Sequence, residues 1–153
     1  MSATGLDVFD TTLQETNAWL NDVMEQWGIP ADHRDEALRR RAYHALRSVL
    51  VTTRDRLPAD LSAAMGAQLP LLVRGVYYEG YDPSRQPEDY RDVDTFVERI
   101  GKYAHRVDID PNDAISAVFA VLNERLTDGM ADKVVQSLPE KIRNRWPAHE
   151  STG

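Results

Sequence analysis

Apolar residues recur along the chain three and four positions apart, in runs separated by Pro, Gly and Asp, while period-two alternation is nearly absent. Leu13, Leu20, Val23, Met24 and Trp27 predict a first helix, opened by the capping-box pattern Thr12-Leu13-Gln14-Glu15 and closed by Gly28 and Pro30. Residues before about Asp10 lack that rhythm and read as a frayed arm, with Leu6, Val8 and Phe9 forming a short hydrophobic hook. Asp32 stands where it can cap a long second helix, with Asp35 and Glu36 in its first turn; Ala42, Leu46, Val49, Leu50 and Leu57 give its stripe, and Pro58 ends it. Leu61, Met65 and Leu69 mark a short third helix. Pro70 opens and Gly80 closes a fourth, in which Val73, Val76 and Tyr77 share a face and Leu69 acts as a staple.

Residues 81–91 hold two prolines and no apolar rhythm, and so read as a linker. The plan then restarts. Val93, Phe96, Val97, Ile100 and Tyr103 predict one helix, and Asp110 and Pro111 cap and open the next, which carries Ile115, Val118, Phe119, Leu122 and Leu126. Thr127-Asp128-Gly129 reads as a turn. Met130, Val134 and Leu138 line a short helix, and Pro139 starts a last one that stops at Trp146-Pro147, with nothing structured expected beyond Glu150.

A shift of 69 residues, the interval from Leu57 to Leu126, superposes Ala45 on Ala114, Val49 on Val118, Arg56 on Arg125, Leu69 on Leu138, Pro70 on Pro139 and Arg74 on Arg143. Leu50 falls on Phe119, Met65 on Val134 and Tyr77 on Trp146, so the apolar skeleton agrees without a gap. The first helices match more weakly and at a longer shift, which makes the second helix of the first half about two turns longer than its counterpart. Two helical units that each expose an apolar face bury those faces against one another. The expected fold is therefore all-α: one domain over 1–153, a compact bundle of about eight helices built from two pseudo-symmetric repeats at 10–80 and 92–147.

Composition narrows the setting. A chain of 153 residues is long enough to bury roughly two-thirds of its unfolded surface, and the absence of Cys excludes disulfides, thiolate zinc sites and cysteine nucleophiles. No apolar run approaches a membrane span and no leader pattern opens the chain, so a cytoplasmic location without membrane contact is expected. The net charge of −7 disfavours nucleic acid and anionic lipid alike.

Arg56-Leu57-Pro58, Gln68-Leu69-Pro70 and Arg74-Gly75-Val76-Tyr77-Tyr78-Glu79-Gly80-Tyr81, with the later Arg125-Leu126 and Leu138-Pro139, resemble the bacterial family catalogued as domain of unknown function 2267. The opening from Leu6 to Trp27 is similar as well, and the sequence departs at Tyr81, where the family often has Trp. The resemblance implies a helical intracellular protein in a stress-associated setting, with no assigned reaction.

Candidate chemistry concentrates in Arg74, Tyr77, Tyr78, Glu79, Tyr81 and Asp82. Guanidinium, phenols and carboxylates converging beside a helix end suit a phosphate-bearing or aromatic ligand, or a partner protein; alternatively Arg74 and Glu79 pair with each other and the tyrosines close the base of the core. Asp108-Ile109-Asp110-Pro111-Asn112 imitates a calcium loop but fails at Asp113 and Phe119, leaving helix capping by Asp110. His33, His44, His105 and His149 fall in no metal-binding spacing. Arg39, Arg40, Arg41 and Arg47, and Lys141, Arg143 and Arg145, spread over several helix faces and suit pairing with Asp35, Glu36 and Glu140. No cofactor, metal or catalytic set is implied. The expected function is a non-enzymatic helical module that binds a protein partner or forms a homo-oligomer, with surplus aromatics such as Trp19, Tyr43, Tyr81 and Tyr90 as contact residues. The alternative is a small-ligand sensor or enzyme using the Arg74 to Asp82 cluster.

Overall fold

The computed structural model describes residues 2–104 and 107–147. His105 and His149, and the expected end of structure at Glu150, lie outside the described residues. Among those described there are eight α-helices and no strand: α1 (Asp7–Gln26), α2 (Glu36–Arg56), α3 (Ala59–Gly66), α4 (Leu71–Tyr77), α5 (Val93–Ala104), α6 (Pro111–Arg125), α7 (Asp128–Ser137) and α8 (Glu140–Arg143). They form a compact all-α bundle.

α2 is its axis, packed against α1, α4, α5 and α6, while α3 packs on α7 and α5 on α8. Its central position explains its composition. From Ser48 to Thr53 every residue is buried, so the helix is enclosed on all sides there rather than showing one apolar stripe. Leu57 and Leu126, at the ends of α2 and α6, are both buried in the one core cluster. Phe119 anchors the second half between Trp146 and Phe96, with ring centroids 4.9 and 5.9 Å away.

Several helix ends differ from the sequence expectation. α1 begins at Asp7, five residues before Thr12, and residues 2–6 are bonded to it and not frayed: the Asp10 carboxylate accepts bonds from the Thr4 backbone N–H (3.1 Å) and hydroxyl (2.7 Å), and from the Ser2 hydroxyl. Those bonds hold the Asp10 carboxyl below its usual range. Thr12 is interior to the helix and its Oγ1 accepts a bond from the Leu72 backbone N–H, 3.1 Å away on α4. Trp19 belongs to the core and Leu13 faces outward, because the buried stripe runs through Thr12, Trp19 and Val23. Asp35 rather than Asp32 caps α2, accepting from Leu38 N at 2.9 Å. Thr127 caps α7, so Asp128 and Gly129 are helical and not a turn. Asp110 does cap α6, accepting from Asn112 N at 2.9 Å, with Pro111 in its first turn.

α2 has 21 residues and α6 has 15. The backbone at Leu57 and Leu126 is extended after each helix, and the Leu-Pro steps coincide in geometry: Pro70 has φ −56° and ψ 151°, Pro139 φ −55° and ψ 148°. No helix among the described residues is long and apolar enough to cross a membrane.

Candidate functional site

The six residues singled out from the sequence lie together at the C-terminal end of α4 and the segment after it, but the polar groups of all except Tyr78 are already engaged. Arg74 does not pair with Glu79. Its Nε donates to the Gly66 carbonyl at 2.9 Å and its Nη2 to those of Ala67 (3.1 Å) and Leu69 (2.9 Å), gathering carbonyls at and just beyond the end of α3. Glu79 pairs instead with Arg47 of α2, at 3.1 Å. Tyr77 is fully buried and its hydroxyl donates to the Ser62 carbonyl at 2.8 Å; burial pushes that hydroxyl far up from its ordinary value. Asp82 caps the short turn Pro83–Arg85, accepting from Ser84 N (3.1 Å) and Oγ (2.6 Å), which lowers its pKa.

Tyr78 is half-buried between the rings of Tyr77 and Tyr81, at 5.0 and 5.6 Å. Its position depends on Gly66: a Cβ there would stand 2.6 Å from the Tyr78 Oη and 3.1 Å from the buried Tyr77 ring. Gly80 follows with φ +65°, the left-handed backbone that turns the chain away from the helix end. Tyr81 donates to the Gln86 side-chain carbonyl, and Gln86 in turn donates through Nε2 to the Leu57 carbonyl at 2.9 Å and the Ser62 hydroxyl at 2.7 Å. The expected linker at 81–91 is therefore bonded onto the end of α2 and onto Ser62 within α3.

The residue that organises this region escaped the sequence reading. Arg54 is only 2% exposed. Its Nη1 donates to the carbonyls of Tyr77 (2.8 Å) and Glu79 (2.9 Å), its Nε donates to Asp55 Oδ1 (2.8 Å), and its guanidinium lies 5.0 Å from the centre of the Tyr81 ring. A positive charge placed against the carbonyl end of α4 is favourable to the helix dipole. A buried charge without such partners would cost far more than it contributes. The available signal, an Arg in the helix that also carries the buried stripe, is too common to single out.

Most residues of the basic concentrations bond to neighbours. Arg40 pairs with Glu36 at 3.0 Å, Arg39 donates to Asn17 and Asn21, and Arg145 donates to the Asn112 side-chain oxygen at 2.9 Å. His44 stacks edgewise on Tyr43, and burial with Arg47 and Arg40 nearby lowers its pKa. Among the described residues no three His, Asp or Glu side chains converge as a metal site. The cavities away from the 74–82 cluster include one of about 440 Å³ bordered by Trp27, Ile29 and Leu38, and one of about 240 Å³ between α2 and α5.

A family model matches residues 16–144, described as an uncharacterized conserved protein (DUF2267). No curated protein matches the chain.

Proposed function

Since the chain belongs to the DUF2267 family, which assigns it no reaction, we propose from its geometry that it is a non-enzymatic protein-interaction module whose partner is a second copy of itself. Six of the seven large apolar side chains exposed among the described residues fall on two adjoining helices: Leu6, Val8, Phe9 and Leu13 at the start of α1, and Leu71 and Leu72 at the start of α4. The bond from Leu72 N to Thr12 Oγ1 and the packing of α4 on α1 bring those two segments side by side. This concentration carries the reading, because scattered exposed apolar residues need no explanation whereas six gathered on adjoining segments do.

Side chains of this size, half exposed, sum to roughly 600 Å², at the upper end of the largest apolar patch on an ordinary monomer. A standard interface buries about 800 Å² per partner, so the expected association is weak and concentration-dependent. Net charge of −7 on each copy opposes it at low salt. Screening that repulsion should strengthen the dimer, the opposite of the salt response of a nucleic-acid complex. The ligand-sensor alternative through Arg74, Tyr77, Tyr78, Glu79, Tyr81 and Asp82 has less support, since Arg74, Tyr77 and Asp82 bond to backbone groups and Glu79 to Arg47. A cytoplasmic, stress-associated setting belongs to the same proposal.

Light scattering on size-exclusion fractions tests it. The native chain should shift from monomer toward dimer with rising concentration and salt, whereas Phe9→Glu and Leu72→Glu should stay monomeric with unchanged helicity. A native chain that remains monomeric from micromolar to millimolar concentration overturns the reading.

A further inference from the structure

The 240 Å³ cavity between α2 and α5 brings charged groups of both signs together with an unbonded hydroxyl. α2 contributes Thr52 and Asp55, three apart on one helix face; α5 contributes Arg99, Lys102 and Tyr103; the segment between the halves contributes Glu88 and Tyr90. Thr52 is 2% exposed, yet its Oγ1 has no hydrogen-bond partner. A threonine inside a helix commonly bonds back to a carbonyl of the preceding turn, and a buried hydroxyl left unbonded costs about 1–3 kcal/mol. Glu88 Oε2 is likewise shielded from solvent, within 3.3 Å of Arg99 Nε but without an aligned hydrogen bond.

The walls are held in advance. Arg56 and Arg99 lie 5.7 and 5.9 Å from the Tyr90 ring centre, Arg56 donates to the Tyr90 carbonyl at 2.8 Å, and Arg47 lies 5.9 Å from the Tyr103 ring centre. The backbone N–H of Glu88 donates to the Asp55 carbonyl at 3.0 Å, fixing the segment to α2. Such walls need little ordering when a ligand arrives. Burial, followed by the neighbouring carboxylates, pushes the hydroxyls of Tyr90 and Tyr103 up, so both stay protonated as donors at neutral pH.

Charge and size select the ligand class. Two carboxylates, Asp55 and Glu88, and two cations, Arg99 and Lys102, border the same space. An ion of one sign would meet two like charges, and an apolar molecule would leave Thr52 Oγ1 unbonded. A volume of about 240 Å³ lies below the roughly 300–1,000 Å³ of drug-sized sites. We propose that this cavity binds a free amino acid as its zwitterion, the ammonium facing Asp55 and Glu88, the carboxylate facing Arg99 and Lys102, and the Thr52 hydroxyl bonded to one of them. The site shares no residue with the α1 and α4 face, and binding there is independent of self-association.

Calorimetry and thermal melting against each of the twenty proteinogenic L-amino acids, with acetate and methylammonium as single-sign probes, test the assignment on the full chain. At least one amino acid should bind saturably and raise the melting temperature, with neither single-sign ion matching it. Thr52→Val, which keeps the shape and removes the hydroxyl, should weaken that binding about tenfold while leaving the unliganded melting temperature unchanged or higher. Tyr103→Phe reports from the opposite wall and should also weaken binding. Absence of saturable binding by every amino acid, equal binding by acetate or methylammonium alone, undiminished binding in Thr52→Val, or a lower unliganded melting temperature in that variant would each overturn it. Repeating the titration on Leu72→Glu separates this outcome from any failure of self-association.

Discussion

Arg54 shows how one side chain can hold an element in place without touching a ligand. Its guanidinium satisfies two carbonyls at the end of α4, pairs with Asp55 and supports the Tyr81 ring, all from a position 2% exposed. Removing it leaves those carbonyls and a carboxylate without their donor in a buried setting. Arg54→Ala should therefore destabilise the chain by about 3–5 kcal/mol in urea denaturation. Arg54→Lys should recover little of that loss, because an ammonium keeps the charge but not the planar fork that reaches Tyr77, Glu79 and Asp55 together. Full recovery by lysine would mean that charge alone, and not the set of bonds, fixes the end of α4.

At the scale of elements, the same device appears at two helix ends. Arg143 donates through Nε to the Val135 carbonyl at 3.0 Å and through Nη2 to those of Gln136 (3.3 Å) and Leu138 (3.0 Å). Each acceptor stands 69 positions after the corresponding acceptor of Arg74, the same interval that separates Leu57 from Leu126. The match is not complete, since Arg56 donates to the Tyr90 carbonyl whereas Arg125 pairs with Asp22 of α1 at 2.7 Å. Arg74 is half-buried and Arg143 exposed, so water competes less for the first set of carbonyls. Arg74→Ala should cost about 1–2 kcal/mol and Arg143→Ala under about 1 kcal/mol. Thermal unfolding of the single and double variants checks both values; separate ends should give additive losses.

For the molecule as a whole, the buried phenol of Tyr77 and the partly buried one of Tyr90 set an alkaline limit. Tyr77 and Tyr90 both have hydroxyls raised well above the ordinary value near 10, chiefly by burial. A group whose folded pKa is raised contributes stability that is fully present below its unfolded pKa. Once the pH passes about 10, the unfolded chain loses those protons while the folded one keeps them, and stability falls. Urea denaturation between about pH 8 and pH 11.5 should show this decline, and Tyr77→Phe should begin less stable, having lost the bond to Ser62, but decline less steeply. An equally steep decline in the Phe variant would remove Tyr77 as a source.

The helix count, the central role of the apolar stripes and the turn chemistry at Asp110 and Gly80 were legible because each depends on residues within one or two turns of chain. Periodicity reports which face is oily, and Pro or positive-φ Gly ends a helix wherever it stands. The start of α1 and the role of Thr12 were not legible, since the bonds from Ser2 and Thr4 and the approach of Leu72 depend on contacts that no local pattern encodes. The cluster from Arg74 to Asp82 could be placed in sequence but not interpreted. Whether a guanidinium faces a ligand or a carbonyl depends on which helix ends lie within about 3 Å of it, a matter of tertiary packing alone. The cavity beside Thr52 is the extreme case: its seven lining residues come from three separate segments, and only the folding of α5 and the intervening segment against α2 brings them together.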